Sequence, residues 1–522
     1  MTDRKGINRR QFLGSSALLA GATLIPWSNT VLAASNKPKG GILRICVDQA
    51  VSVLNPLKTR VNPEYLVAEL LYSGLTRLRP DMKVEADLAE SWTANDDLTE
   101  WTFKLRSNLK FHDGSACSAK DVAASLLAIL DPNNAASGRK NIGPIQSVSA
   151  KGTDLVVITL TQPYADLPVN LAYPSAKIVP AAIVEQGMDA LAQKAVGTGP
   201  FKLVSYEPER KIVVARNPDY YDPARPHLNG VEVVVYPDST AAGSALISGD
   251  IDLMMAISAT DYQRFQGESQ VDALRVPSGQ FLNINMACDQ KPFDDPKVRE
   301  ALALSIDRDA MLQFVADGFA TAGNDTPISK AYQYFDALPQ RKADLAKAKA
   351  LLKEAGYSDG LNIKLVASDK PETRAQLAIA VREMAKPAGF NIEVETMAHA
   401  TYLDQVWKKG NFYVGFYNMQ PTVDAVFSLL YTSDAPWNET RWNNDKFDAA
   451  VKAAQKTTDN AERTKLYATA QTLMHDEIPS IIPTFFDILA AQRTYVEGYQ
   501  LHPRGAVFRL DEVWFGPKAP KR

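Results

Sequence analysis

The chain predicts an α/β fold of more than one domain, and three observations carry that expectation. Residues 361–366, 373–386 and 391–395 alternate strand, helix and strand, the rhythm of a β-α-β unit. Residues 72–195 instead read as short strands, among them 74–78 and 100–105. The length of 522 residues, 46% apolar and 22% charged, is enough for two to four domains with ample core.

Taken in order, the chain opens on Asn8-Arg9-Arg10-Gln11-Phe12-Leu13, a paired-arginine phrase with an apolar run behind it and small residues at Ala33-Ala34. This pattern predicts a Tat-type export signal over residues 1–33, removed near Ala33. The apolar run is too short for a membrane-spanning helix, which needs roughly 20 residues. Cys46 lacks a lipoprotein cleavage box, so the mature chain is expected to be free in the periplasm without direct membrane insertion. Removing Arg4, Lys5, Arg9 and Arg10 with Asp3 leaves a chain more acidic than the −3 of the whole. It has no basic run, and no nucleic-acid partner is expected. Cys46, Cys117 and Cys288 are far apart and odd in number; they read as buried small apolar residues, with one bridge possible.

Residues 41–45 predict the first strand, and residues 64–71 a helix with Leu66, Leu70 and Leu71 on one face. Val196-Gly197-Thr198-Gly199-Pro200 predicts a sharp turn, followed by strands at 201–206, 211–216 and 231–236. Asp238 or Ser239 caps a helix that Gly249 ends, and residues 251–255 begin another strand. Residues 282–286 alternate as a strand. Asp295-Pro296 then starts a helix that buries Val298, Ala301, Leu302 and Ile306. Asp307 caps the next helix, with Ala310, Met311 and Phe314 inward. Residues 344–355 form an amphipathic helix with Leu345, Ala348, Leu351 and Leu352 inward and Gly356 as its stop. Helices at 447–454 and 461–475 precede a return strand at 481–486.

Several phrases carry a resemblance: Gly197-Thr198-Gly199-Pro200-Phe201-Lys202-Leu203, Arg216-Asn217-Pro218-Asp219-Tyr220-Tyr221 and Leu246-Ile247-Ser248-Gly249-Asp250-Ile251-Asp252. To these are added Leu88-Ala89-Glu90-Ser91-Trp92, Lys110-Phe111-His112-Asp113-Gly114 and Ser118-Ala119-Lys120-Asp121-Val122. The chain resembles the family 5 extracellular solute-binding proteins of ABC importers, which include dipeptide- and oligopeptide-binding proteins. The resemblance implies a periplasmic-binding-protein type II fold: two lobes with a hinge, plus an extra small domain. It implies a first domain from residues 34–71, 196–285 and 489–522, a second from 72–195 and a third from 286–488. Hinges are expected near residues 283–286 and 485–488. The implied partners are a small-molecule or peptide ligand and ABC permease transmembrane subunits, with the receptor a monomer.

The candidate ligand groups lie mainly between Gly410 and Asn444. Phe412, Tyr413, Phe416, Tyr417, Trp437 and Trp442 supply aromatic faces among Asn418, Gln420, Asp424, Asn438, Glu439, Arg441 and Asn443. Aromatic walls with a few fixed polar groups suit a concave small-molecule site; the alternative is that Phe412 and Tyr413 are core. Gly415-Phe416 resembles the family's Gly-Trp pair, after which an aspartate holds a peptide's α-ammonium. That position here is Met419, and the first acid is Asp424. Arg441 pairs a ligand carboxylate or is a solvated surface charge. Asn55, in a Leu-Asn-Pro phrase, belongs to the cleft wall by resemblance or is an Asn-Pro turn.

No catalytic constellation is expected: His112-Asp113-Gly114 reads as a turn, no nucleophile elbow or P-loop is present, and the five histidines are scattered. No cofactor and no metal site are expected. The function predicted is the substrate-binding component of an importer for short peptides or peptide-like solutes. The alternatives are a receptor for sugars, opines, nickel or haem on the same fold, and a secreted hydrolase.

Overall fold

The strands Val271–Met286 and Ser480–Arg493 run antiparallel through the middle of the molecule and join its two flanks into one sheet. The computed structural model describes residues 37–520, so the expected export signal lies outside the described residues. On one flank, Ser480–Arg493 pairs with Leu253–Met254, and the sheet continues through Ile42–Val47, Gly230–Val235, Lys211–Arg216 and Phe201–Glu207. On the other, Val271–Met286 pairs with Phe412–Tyr417, followed by Leu361–Ser368 and Phe390–Met397. A separate four-stranded antiparallel sheet is built from Ala89–Ala94, Glu100–Leu105, Leu155–Leu160 and Ile145–Lys151. This mixed α/β architecture is the predicted fold class.

The two long strands pair without a break except at two irregularities. Pro277 opposes Asp487 and Gln280 opposes Phe486, which leaves Ser278 and Gly279 out of register; a second shift falls between Leu282 and Ile284. A bulge bends a strand and raises its twist. One irregularity therefore lies opposite the expected 485–488 segment, and the second falls at Asn283, at the start of the expected 283–286 segment, whose Asn285 faces Ser480.

Local chemistry explains the elements. Ser118 and Asp121 form a capping box that starts the helix Ala119–Leu130. Asp238, Asp295 and Asp307 each accept a backbone N–H at the start of Ser239–Ser248, Pro296–Leu304 and Arg308–Ala316. Gly249 ends the first of these in a left-handed conformation with φ 83°. In Arg308–Ala316, however, Met311 and Val315 are buried while Ala310 and Phe314 face outward. Phe314 is three residues from Met311, and the packed face turns toward Val315 instead. Leu345 is likewise exposed, because it sits at the first position of Leu345–Glu354, before the helix meets the core that takes Ala348 and Leu352.

The Gly197–Gly199 run does bend, at Gly199–Pro200, but its glycines answer a different need. Neither glycine has a positive φ. The segment passes directly over the end of the helix Asn62–Leu71: Gly199 N donates to Leu71 O at 3.0 Å, and a Cβ at Gly197 would meet that oxygen at 2.0 Å. The glycines serve close backbone approach rather than a positive φ. Gly197→Ala is expected to cost about 2 kcal/mol or more of unfolding free energy by urea denaturation. A cost below about 0.5 kcal/mol would show that the Leu71 carbonyl gives way freely.

Ion pairs fix the C-terminal segment. Asp511 accepts from Arg77 at 3.0 Å and Arg225 at 3.2 Å, and Arg509 bonds Glu85 and Glu512. Burial alone would raise the Asp511 carboxyl, but Arg77, Arg509 and Arg225 hold it below its usual value. The residues just before it, including Arg504, are thereby placed against both flanks of the molecule.

Candidate functional site

The strand Phe412–Tyr417 delivers the loop that begins at Asn418, and its alternation decides which side chains reach which face. Phe412 and Val414 enter one core with Phe416 packed on it, while Tyr417 enters another. Gly415 opposes Asn283 in the register. A Cβ there would lie 2.3 Å from Asn283 Oδ1, so glycine is required by the asparagine pair beside it.

That pair opens a buried polar network. Asn283 Nδ2 donates to Asn285 Oδ1 at 2.7 Å, and Asn285 donates onward to Glu439. Glu439 also accepts from the Tyr417 hydroxyl and from Trp407 Nε1. Burial pushes its carboxyl up to about 7 against the lowering effect of these donors. Trp437 closes the network from outside, its ring 5.3 Å from Trp407 and 6.2 Å from Tyr417. Near it, Arg374 stands over Tyr402 and Phe416 at 5.2 and 5.7 Å, with Nε and Nη1 buried and without acceptors.

The remaining expected residues are placed differently. Asn418 is exposed and accepts from Gln280 at 2.7 Å. Met419 is buried in a core that also takes Met82 and Tyr332. Asp424 is buried on Val423–Leu430, bonded by Ser428 and Gln455; burial and the nearby Asp166 push its carboxyl up to about 6. Asn438 holds a tight turn through Thr432 O and Trp442 O. Arg441 pairs with Asp289 at 3.2 Å and with Lys409 O, a part-exposed surface arrangement. Trp442 is 3% exposed, its ring against Phe447 and its Nε1 bonded to Glu477 at 2.7 Å, so it belongs to the core. Asn55 is buried, caps the short turn Pro56–Lys58 and donates to Met188 O at 3.0 Å. It borders a cavity of about 240 Å³ with Ser52, Met188 and Tyr206.

The structure thus gathers Gly415 and Tyr417 near Trp437, turns Phe416 to the opposite face under Arg374, and sets Asn418 and Met419 at the strand's end. Asp424, Asn438, Arg441 and Trp442 are engaged elsewhere. Next to Met419 stand groups with no sequence signal. Arg504 Nε donates to Met419 O at 3.3 Å, and the Tyr332 hydroxyl accepts from Gln420 N at 3.1 Å. Tyr65 and Tyr173 complete this wall from the other flank. Arg504, Tyr332 and Tyr65 are scattered along the chain, and only the fold brings them together.

His112 is structural: its ring meets Gly199 O at 3.1 Å, and burial pushes its pKa down to about 4. Cys46 and Cys117 are buried, Cys288 is half-buried, and all three are free thiols. Among the described residues no group of three or more His, Cys, Asp or Glu side chains is placed to hold a metal, and no helix is long and apolar enough to cross a membrane.

A two-flank sheet crossed by a paired long-strand hinge, with an aromatic and polar wall between the flanks, describes a receptor for a small solute. Residues 83–441 match the model of the bacterial extracellular solute-binding proteins, family 5. The glutathione-binding protein GsiB of Escherichia coli is 30% identical over 474 residues, covering 88% of this chain and 92% of that protein. HbpA2 from Haemophilus parasuis superposes with TM-score 0.83 at 24% identity, over 91% of this chain and 100% of that one. The A. tumefaciens protein AgaA, solved in complex with agropinic acid, gives TM-score 0.74 at 26% identity over 92% of this chain and 99% of that one. The chain belongs to the family 5 extracellular solute-binding proteins of ABC importers.

Proposed function

We propose that this chain captures short peptides or peptide-like solutes between its two flanks, delivers them to an ABC permease and performs no chemistry on them. The observation that carries the reading is the near full-length relationship to a glutathione-binding protein. It agrees with a wall of tyrosines and amides that offers contact area and fixed hydrogen bonds without a nucleophile. The export signal at residues 1–33, a periplasmic location and a monomeric state belong to the same proposal. So do the domain divisions at residues 71/72, 195/196, 285/286 and 488/489.

Closure is the mechanism. Solute contacts that exist only when the flanks meet shift the equilibrium toward the closed form, which the permease then recognises. Bending falls at the bulge of Ser278 and Gly279 opposite Phe486 and Asp487. Across the gap, Arg463 meets Asp166 at 2.6 Å, both nearly buried, and Ala165 N donates to Gln455 O at 2.8 Å. These contacts hold the flanks together.

Titration calorimetry with glutathione and a tripeptide set, with X-ray scattering on the same samples, tests the reading. Binding in the micromolar range or tighter and a smaller radius of gyration are expected, and Asp166→Ala should weaken binding about tenfold. An unchanged envelope with every solute, or hydrolysis of the peptides, would sink it. A second reading, an opine-type solute, is favoured by Met419 standing where an ammonium-binding aspartate is expected, and by the likeness to AgaA.

A further inference from the structure

Resting on that reading, we propose that Arg504 is the anion anchor of the site, so that the solute is held by a carboxylate at the pole where Met419 lies. Four segments from both flanks meet there. Tyr65 comes from Asn62–Leu71, Tyr173 from beyond Leu167–Asn170, Tyr332 from the loop before Leu345–Glu354 and Met419 from the end of Phe412–Tyr417. Arg504 lies against all four: its guanidinium is over the Tyr173 ring at 5.9 Å, and its Nε holds Met419 O.

What the guanidinium lacks decides its role. Among the described residues it makes no ion pair, and its Nη1 is out of water with no acceptor. A donor left so costs free energy that an incoming acceptor recovers, most of all an anionic one that takes two parallel N–H groups. Burial depresses the Arg504 pKa, and only tyrosines act against this. The neighbouring acid Glu64 is occupied by Arg60 N at 2.8 Å and Ser52 at 3.2 Å. His502 sits two residues away, with burial pushing it down to about 3, so it is uncharged and adds no second cation. The pole is therefore cationic and lined by aromatic rings. Tyr65, Tyr173 and Arg504 itself are part-exposed, which leaves the solute a route to it.

The shared chemistry is a carboxylate, from a peptide C-terminus or from a free organic acid, and the test separates the two. Glutathione and trialanine are titrated as free acids and as C-terminal amides, with succinate as the non-peptide probe. Wild type is expected to prefer the free acids by about tenfold, and Arg504→Gln to bring acid and amide within about twofold of each other. Met419→Asp puts a carboxylate on the residue whose main-chain carbonyl accepts from Arg504 and, at a cost in stability because that side chain is buried, is expected to abolish the same preference. The acid-to-amide ratio is the readout because a merely structural Arg504 would weaken both forms alike. A preference that survives in Arg504→Gln and in Met419→Asp overturns the proposal, as does a wild type that binds acid and amide equally or binds no carboxylate at all. If succinate binds wild type and is lost in Arg504→Gln while no peptide binds, the anchor stands and the peptide reading fails.

Discussion

Asp325→Ala will lower the unfolding free energy by about 3–5 kcal/mol, because it strips the counter-charge at once from a buried arginine, Arg308, and a half-buried one, Arg341. Asp325 is fully buried and accepts from Arg308 Nη2 at 2.7 and 2.8 Å and from Arg341 Nε at 2.7 Å. It also accepts from Ile482 N at 3.2 Å. One carboxylate therefore ties the helix Arg308–Ala316 and the Arg341 segment to the central strand Ser480–Arg493. Removing either arginine alone leaves the other paired, so Arg341→Ala, the more exposed partner, is expected to cost less than half as much. Urea denaturation at neutral pH decides it. A loss below about 1 kcal/mol for Asp325→Ala would mean that the pairs roughly balance their own desolvation.

The second large effect is a pH dependence centred on Glu439. Its carboxyl is raised to about 7 in the folded state by burial, from its ordinary value of 4.5. A raised carboxyl binds its proton more tightly when folded. The stability it contributes is therefore fully present below about pH 4.5 and is lost as pH rises through about 7. Asp424, raised to about 6 by burial and by Asp166, adds to the same trend over a lower window. The expected fall between pH 4.5 and 8 is on the order of 2–3 kcal/mol for Glu439. Glu439→Gln, uncharged throughout, should flatten the upper part of that slope. Urea midpoints measured across the range read it directly, and an unaltered slope in the variant would remove Glu439 as its source.

Much of the local structure was legible from residue types. Caps at Ser118, Asp238, Asp295 and Asp307 lie where the short polar side chains placed them: each aspartate accepts an N–H of its own first turn, and Ser118 is held by Asp121, which accepts both its N–H and its hydroxyl. The β-α-β unit of Leu361–Ser368, Thr373–Ala385 and Phe390–Met397 followed from apolar periodicity alone. The candidate site was legible only in part. Tyr417 and Trp437 lie in one polar-aromatic network, but Trp442, beside the same polar residues in sequence, is core. A loop's composition does not say which of its rings turns inward.

By itself, then, the sequence determined the local elements and the family, because caps, periods and motif phrases act over a few residues. The tertiary structure alone decided that Gly197 is there to let Leu71 approach, that Asp325 neutralises two arginines, and that Arg504 stands between four distant segments with no ion pair among the described residues. The physical reason is that charge compensation and close approach depend on which surfaces meet, and the segments that meet are set by long-range packing across the two long strands.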